Sequence, residues 1–396
     1  MRVLILSFYY HPDLCAGSFR TTPFVSALCE LAPADTHVDV VTTLPNRYYT
    51  FTQDAAEIES GPGIEIRRIK LPSHRSDMRG QARAFLYFAR QALTITADRK
   101  YDLVFATSSR LMTASLGAWI ARRKQAPLYL DIRDIFVDTI REVLPGIVAW
   151  PMGHIFSLME SWTVRRANRI NLVSRGFEEY FRTRYGDRSL AWFTNGIDDE
   201  FLTDATAPPQ STRRPGALPT ILYAGNMGEG QQLHEIVPSL ARALSGQAQF
   251  VMIGDGGRRN ELEAAVAAAG VDNVEFRAPM SRAALLQAYA EADVLFLHLG
   301  AYPAFEKVLP SKLFEYAALG KPVLAGVKGF AARFVTEEID NAAVFPPCDT
   351  GAAVNAFGTL QLVSRPRPSF VAKYARSNIV RAMAKDVLEL LPCASW

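Results

Sequence analysis

The chain has 396 residues, 49% of them apolar and 21% charged, and a net charge of +3. That length favours two domains and that composition an ordinary globular protein, while so small a positive excess gives no case for nucleic-acid binding. Four cysteines (Cys15, Cys29, Cys348, Cys393) form no C-x-x-C pair, which points to reduced thiols and away from a disulfide framework or a metal cage.

Met1-Arg2 leads straight into Val3–Leu6, which reads as a buried strand and not as the core of a signal peptide. No apolar run reaches the ~20 residues that span a bilayer. A cytoplasmic protein is expected, with any membrane contact peripheral. A small-residue turn, Ala16-Gly17-Ser18, follows, with Ser18 placed to cap a helix running to about Leu31. Gly17 either lets the backbone pass close to a ligand or simply makes the turn. The pattern is not G-x-G-x-x-G, so a nicotinamide cofactor is unsupported. Further strands are expected at His37–Val41, Ile64–Lys70, Leu103–Ala106 and Leu128–Leu130. Helical patterns lie between them, the alternation of a parallel, doubly wound sheet.

The last of these strands runs into Asp131-Ile132-Arg133-Asp134. Charged residues just past a parallel strand face the ligand crevice of an open sheet. Two Asp around an Arg equally make a buried ion-pair cluster, and both readings stand. Two stretches, Gln81–Ile95 and Ile147–Trp162 with the arginines after it, combine aromatic and basic residues. They suit an anionic membrane surface or, more commonly, core helices with a solvated Arg face. Ile170–Val173 is another strand, and Trp192–Asp198 closes the half with an Asn195-Gly196 turn.

Ala205–Leu218, rich in Pro, Ser and Thr, reads as a surface linker. Thr220–Ala224 then repeats the opening theme, strand followed by glycine turn, with Gly225, Gly228 and Gly230 leaving backbone N–H groups to meet a diphosphate. A strand at Phe250–Ile253, a helix at Arg258–Ala269, a strand from Val274 and a helix from Ser281 to Ala290 are expected next. Val294–Leu297 reads as a buried parallel strand ending in His298, a lone histidine of the kind that is usually structural. Then comes Leu309-Pro310-Ser311-Lys312-Leu313-Phe314-Glu315-Tyr316, with Pro310 placed to start a helix and Gly320 to end it. Lys312 and Glu315 thus fall in the first turns of a helix at the carboxyl end of a sheet, where open α/β sheets bind ligands. The helix start and the lysine suit a phosphate, and the carboxylate one turn on suits vicinal sugar hydroxyls. The spacing therefore suggests a nucleotide; the plain alternative is a solvated Lys–Glu pair. The tail over Pro366–Leu391 reads as helical.

The Pro310–Tyr316 stretch resembles the donor-binding helix of family-4 retaining glycosyltransferases of the GT-B fold. It is most similar to the bacterial surface-polysaccharide subgroup that includes N-acetyl-L-fucosamine transferases. The resemblance implies an α/β protein of two Rossmann-like domains facing across a cleft: an acceptor domain over 1–198, completed by a C-terminal helix over 375–396, and a nucleotide-sugar domain over 199–374. It implies that Glu315 binds the ribose and that Ser311, Lys312, Leu313, Gly225, Asn226, Gly228 and Gly17 lie around the donor, with Arg277 and Ala278 beside the base. Asp131, Arg133 and Asp134 match an acidic-x-Arg-Asp sequence that faces the cleft in related transferases. Two positions depart from the family pattern. Lys307 stands where a second Glu is usual, with Glu306 as the neighbouring acid, and Asn226 and Gln231 occupy a loop that often carries Arg and Lys.

The activity implied is transfer of a sugar from a nucleotide donor, expected to be UDP-linked, to a lipid-linked or polysaccharide acceptor, with retention. No D-x-D sequence and no metal-ligand spacing occurs, so neither metal nor other cofactor is expected. The alternatives are a nucleotide-sugar 2-epimerase on the same scaffold and a non-catalytic partner subunit.

Overall fold

A computed structural model describes residues 1–13, 15–46, 54–72, 78–108, 111–135, 137–138, 146–202 and 216–392, with the backbone alone at 78–79 and 146–150. Most of the expected linker, and Cys393, lie outside the described residues. The chain forms two units, Met1–Asn195 with Ser377–Trp396, and Gly196–Arg376.

In the first unit eight strands form one sheet: β1 (Arg2–Leu6), β2 (His37–Thr43), β3 (Ile58–Gly61), β4 (Ile64–Ile69), β5 (Leu103–Thr107), β6 (Leu128–Ile132), β7 (Arg169–Leu172) and β8 (Leu190–Ala191), in the order β3-β4-β2-β1-β5-β6-β7-β8. All neighbours are parallel except the β3–β4 hairpin. Parallel strands covered on both faces are continuous apolar runs, and Val3, Leu4, Ile5 and Leu6 are all fully buried. The helix after β1, Ala16–Leu31, starts three residues earlier than expected. Cys15 is its N-cap, so Ser18 lies inside the first turn and caps nothing.

In the second unit the order is β11-β10-β9-β12-β13-β14, all parallel: β9 (Thr220–Asn226), β10 (Gln249–Asp255), β11 (Val274–Arg277), β12 (Val294–His298), β13 (Val323–Gly326) and β14 (Ala342–Phe345). This is the doubly wound order whose direction reverses between its first and fourth strands, here β9 and β12. The core under it is apolar, with Ile221, Ile236, Val237, Leu240, Met252 and Phe296 at or near zero exposure.

The expected domain limits at 198/199 and 374/375 shift by a few residues. Ile197 N–H donates to the Tyr374 carbonyl and Arg376 N–H to that of Ile197, so Gly196–Asp198 and Tyr374–Arg376 run side by side in the second unit. The expected single tail helix is two, Pro368–Tyr374 and Arg376–Leu388, divided at Ala375 where this pairing occurs. The second of them delivers Val380, Met383, Ala384 and Val387 into the first unit's core beside Val3, Ile5 and Tyr129. No described helix is long and apolar enough to cross a membrane.

Candidate active site

β9 and β12 pair only through Ile221–Val294 and Leu222–Leu295, so their carboxyl ends stand apart. This opening at the reversal of strand order is where a doubly wound sheet takes its ligand. β9 ends in Gly225-Asn226. Gly225 has φ +146°, and a β-carbon there would run into the side-chain amine of Lys312. The missing side chain is therefore the room in which the ammonium sits.

Lys312 is the first residue of the helix Lys312–Ala318, which follows β12 by way of a short 3-10 turn at Pro303–Lys307. Gly320 ends the helix segment with φ +69°, as expected. The helix is shorter than expected. Its first N–H groups, at Leu313 and Phe314, already bond the carbonyls of Pro310 and Ser311. A seven-residue helix so closed adds little dipole, and the positive charge at this place is the lysine itself. Leu313 is fully buried in the core, so its side chain packs and does not face a ligand, and Ser311 is the partly exposed N-cap.

Lys312 and Glu315 do not pair with each other, which removes the solvated-pair reading. Among the described residues Lys312 makes no hydrogen bond. Among the described residues the Glu315 carboxylate accepts none, although its side chain is only 14% exposed, and its one ion pair is at 3.8 Å to Arg282 Nη1. Burial pushes the Lys312 ammonium down from its ordinary value, against the pull of Glu315. Burial likewise pushes the Glu315 carboxyl up, and Lys312 and Arg282 draw it back. The result is a cation and a carboxylate one turn apart, both desolvated and neither hydrogen-bonded.

The glycine loop differs from expectation. Gly228 N–H is held by the Gln231 side-chain oxygen at 3.2 Å, and the Asn226 amide donates to the same oxygen at 2.9 Å. Gln231 thus closes the loop upon itself, and the Gly228 N–H is not open to a phosphate. Glu306 is paired with Lys328 at 3.4 Å and is 45% exposed. Arg277 pairs with Glu275 along its own strand, and Ala278 beside it is exposed. His298 is buried between the Gln231 carbonyl (2.7 Å from Nδ1) and the Cys348 N–H (3.0 Å from Nε2). It is a neutral structural residue, its pKa pushed down to about 4 by burial.

In the first unit Asp131 is the fourth residue of β6, not a residue beyond it. Its two oxygens take Arg20 Nε and Nη2, each at 2.9 Å, and Asn171 Nδ2 at 2.7 Å. Burial alone would raise its carboxyl, but Arg20 outweighs it and holds it below the ordinary value. Of the two readings of this stretch, Asp131 takes the buried ion pair, with Arg20 and Asn171 bonded to its oxygens. Arg133 follows with its backbone N–H on Ser108 Oγ and Nη1 buried without a hydrogen-bond partner among the described residues. Asp134 beside it is exposed, so water offsets much of the upward push that its surroundings give its carboxyl. Gly17 lies in the first turn of its helix, and a β-carbon there would press on Tyr9 at 3.3 Å.

Residues 23–196 match the family described as Glycosyl transferase 4-like domain, and residues 205–374 the family described as Glycosyl transferases group 1. The chain is a family-4 glycosyltransferase of the GT-B fold. The transferase is 29% identical, over 98% of its length and 100% of the relative's, to the proposed colanic acid biosynthesis glycosyl transferase WcaI of Escherichia coli K12. Among solved structures it resembles Anabaena Alr3699/HepE in complex with UDP-glucose (15% identity, 98% of this chain and 100% of that one, TM-score 0.66). It also resembles WaaG, a glycosyltransferase involved in lipopolysaccharide biosynthesis (14% identity, 99% and 96%, TM-score 0.63). At these identities the two structures speak for the fold alone.

Two residues of the transferase escaped the sequence reading. Arg20 anchors Asp131 from 111 positions away, and Arg282 faces Glu315 from the start of the helix Arg282–Glu291. An arginine in a helix's first turn carries no spacing signal that separates it from a solvated one.

Proposed function

We propose that the protein transfers a sugar from a nucleotide donor, UDP-linked, to a lipid-linked or polysaccharide acceptor in bacterial surface-glycan synthesis. The observation that carries this reading is the Lys312 ammonium lodged over Gly225 with the unbonded Glu315 carboxylate one turn on. The first suits a diphosphate, the second the two hydroxyls of a ribose. That HepE is seen with UDP and UDP-glucose supports the choice of donor, and the names of WcaI and WaaG support the surface-glycan setting. The likeness of the Pro310–Tyr316 stretch to N-acetyl-L-fucosamine transferases makes amino-deoxy sugars the first donors to try.

In the reaction the bond from the anomeric carbon to the diphosphate breaks, and the acceptor oxygen bonds to the same face of the sugar as its proton passes to the departing diphosphate oxygen. Lys312 meets the charge that builds on the diphosphate. On this reading no metal is required. The family matches do not favour the epimerase alternative. A screen of UDP-sugars read by nucleotide release, with and without a chelator, tests both points. Nucleotide release only when magnesium or manganese is present would contradict the metal-independent reading.

Peripheral contact with the membrane that carries a lipid-linked acceptor is part of this proposal. Six of the eight exposed large apolar side chains among the described residues (Leu86, Tyr87, Leu93, Trp119, Ile155, Leu158) lie on three neighbouring helices, Met78–Thr96, Leu111–Lys124 and Gly146–Arg166. On these helices the only acid is the buried Glu160, against exposed Arg83, Arg90, Arg122, Arg123, Arg165 and Arg166. That balance suits anionic phospholipid. Co-sedimentation with phosphatidylglycerol vesicles but not with phosphatidylcholine vesicles is expected.

A further inference from the structure

We propose that Arg282 is a positioning residue for the donor site: it holds the Glu315 carboxylate ionised and in place for the ribose without hydrogen-bonding to it. This rests on the donor site proposed above. The Arg282 guanidinium lies over the Phe201 ring, 4.6 Å from its centroid. Its Nε donates to Glu200 Oε2 at 2.7 Å and its Nη2 to Asp198 Oδ2 at 2.9 Å. Nη1 lies 3.8 Å from Glu315 Oε1. That gap is too long for a hydrogen bond yet short for two charges in a place shielded from water. The lone pairs of Glu315 therefore stay available to a pair of vicinal hydroxyls, while the positive charge that steadies them is clamped from two other directions.

The clamp is itself anchored. Arg376 pairs with the second oxygen of Asp198 and donates Nη2 to the Gly196 carbonyl at 2.8 Å. Among the described residues Asp198, Glu200 and Glu315 are thus matched by Arg376, Arg282 and Lys312, so removing Arg282 takes a positive charge from beside a desolvated carboxylate. The charged groups that act on Glu315 are Lys312 and Arg282, which favour its anion, Asp198, which opposes it, and Arg376, which favours it; the Tyr289 and Tyr316 hydroxyls pack around it as neutral groups. Loss of Arg282 shifts protonation of Glu315 upward in pH. Ribose binding then fails at a less acid pH than in the unaltered protein.

The experiment is titration calorimetry of the full chain with UDP, from about pH 5 to about pH 8, on Arg282→Met, Arg282→Lys, Glu315→Gln and the double variants. Arg282→Met is expected to weaken UDP binding about tenfold, most at the acid end, and to have no further effect once Glu315→Gln is present. Arg282→Lys is expected to recover the pH profile. Losses that add in the double variant, or an Arg282→Met profile parallel to that of the unaltered protein, would overturn the proposal. If Glu315→Gln alone leaves UDP affinity unchanged, it is the donor-site reading that falls. Should Arg282→Met not fold, Arg282→Lys decides: an equal loss with and without Glu315 overturns the proposal, and retained affinity or a loss seen only with Glu315 supports it.

Discussion

The Lys312 amine fills the space in front of Gly225 that a side chain there would claim. Gly225→Ala therefore meets two obstacles, the lysine and a φ of +146° that L-residues avoid. Displaced, the ammonium no longer sits at the mouth of the strand. The expected outcome is a folded protein, destabilised by ~1–3 kcal/mol, whose affinity for UDP is at least about tenfold lower. Thermal unfolding and calorimetry check the two parts separately, and unaltered affinity would place the phosphate elsewhere.

Lys312→Ala removes the charge and keeps the room. A hydrogen bond to a charged group contributes ~1.5–3 kcal/mol, so UDP affinity is expected to fall by roughly one to two orders of magnitude, with uridine affinity unchanged. An equal drop for uridine and UDP would show that the lysine does not meet the phosphates.

Glu315→Ala deletes the acceptor for the ribose hydroxyls. Uridine and UDP should weaken together, by about tenfold or more, and sugar transfer should be lost while the melting temperature holds. The contrast with Lys312→Ala is the informative quantity, because one variant separates nucleoside from phosphate and the other does not.

Asp131→Ala is expected to act on stability. It strands the Arg20 guanidinium, 2% exposed, whose Nε and Nη2 rest on Asp131. Breaking one side of a buried pair costs ~3–5 kcal/mol. Denaturant unfolding measures this directly. A variant of native stability with abolished turnover would return Asp131 to the chemistry.

How much of this was readable beforehand follows from what each residue's neighbours are. The strands Val3–Leu6 and Val294–Leu297 were legible because burial on both faces demands unbroken apolar runs. Ile58–Gly61 was not, since an exposed four-residue edge hairpin has no core face to pattern it. Lys312 and Glu315 were legible because Pro310 and Gly320 bracket them behind a strand. Asp131 was left between two readings because its partner, Arg20, lies 111 residues off. Arg282 was missed for the same reason, its anchors Asp198 and Glu200 being more than 80 positions back. Local spacing reports which residues share a turn, and only the folded chain reports which charges meet across it.

His298 gives a pH signature. Its folded pKa of about 4 lies below the ordinary 6.5, so the unfolded chain binds the proton first. Stability from this residue is complete above about pH 6.5 and declines as pH falls toward about 4, by at most ~1.4 kcal/mol per pH unit. The difference in unfolding free energy between the unaltered protein and His298→Asn should therefore shrink across that window. A constant difference would mean that the imidazole is already charged in the fold.

The helix Arg376–Leu388 has a consequence for synthesis. The first unit's hydrophobic interior needs Val380, Met383 and Val387, which leave the ribosome only after the whole second unit. The unit that begins the chain is thus the last to be finished. A message cut short just after Arg376 would yield a complete second unit attached to a first one lacking its final wedge, a natural mark for proteolysis.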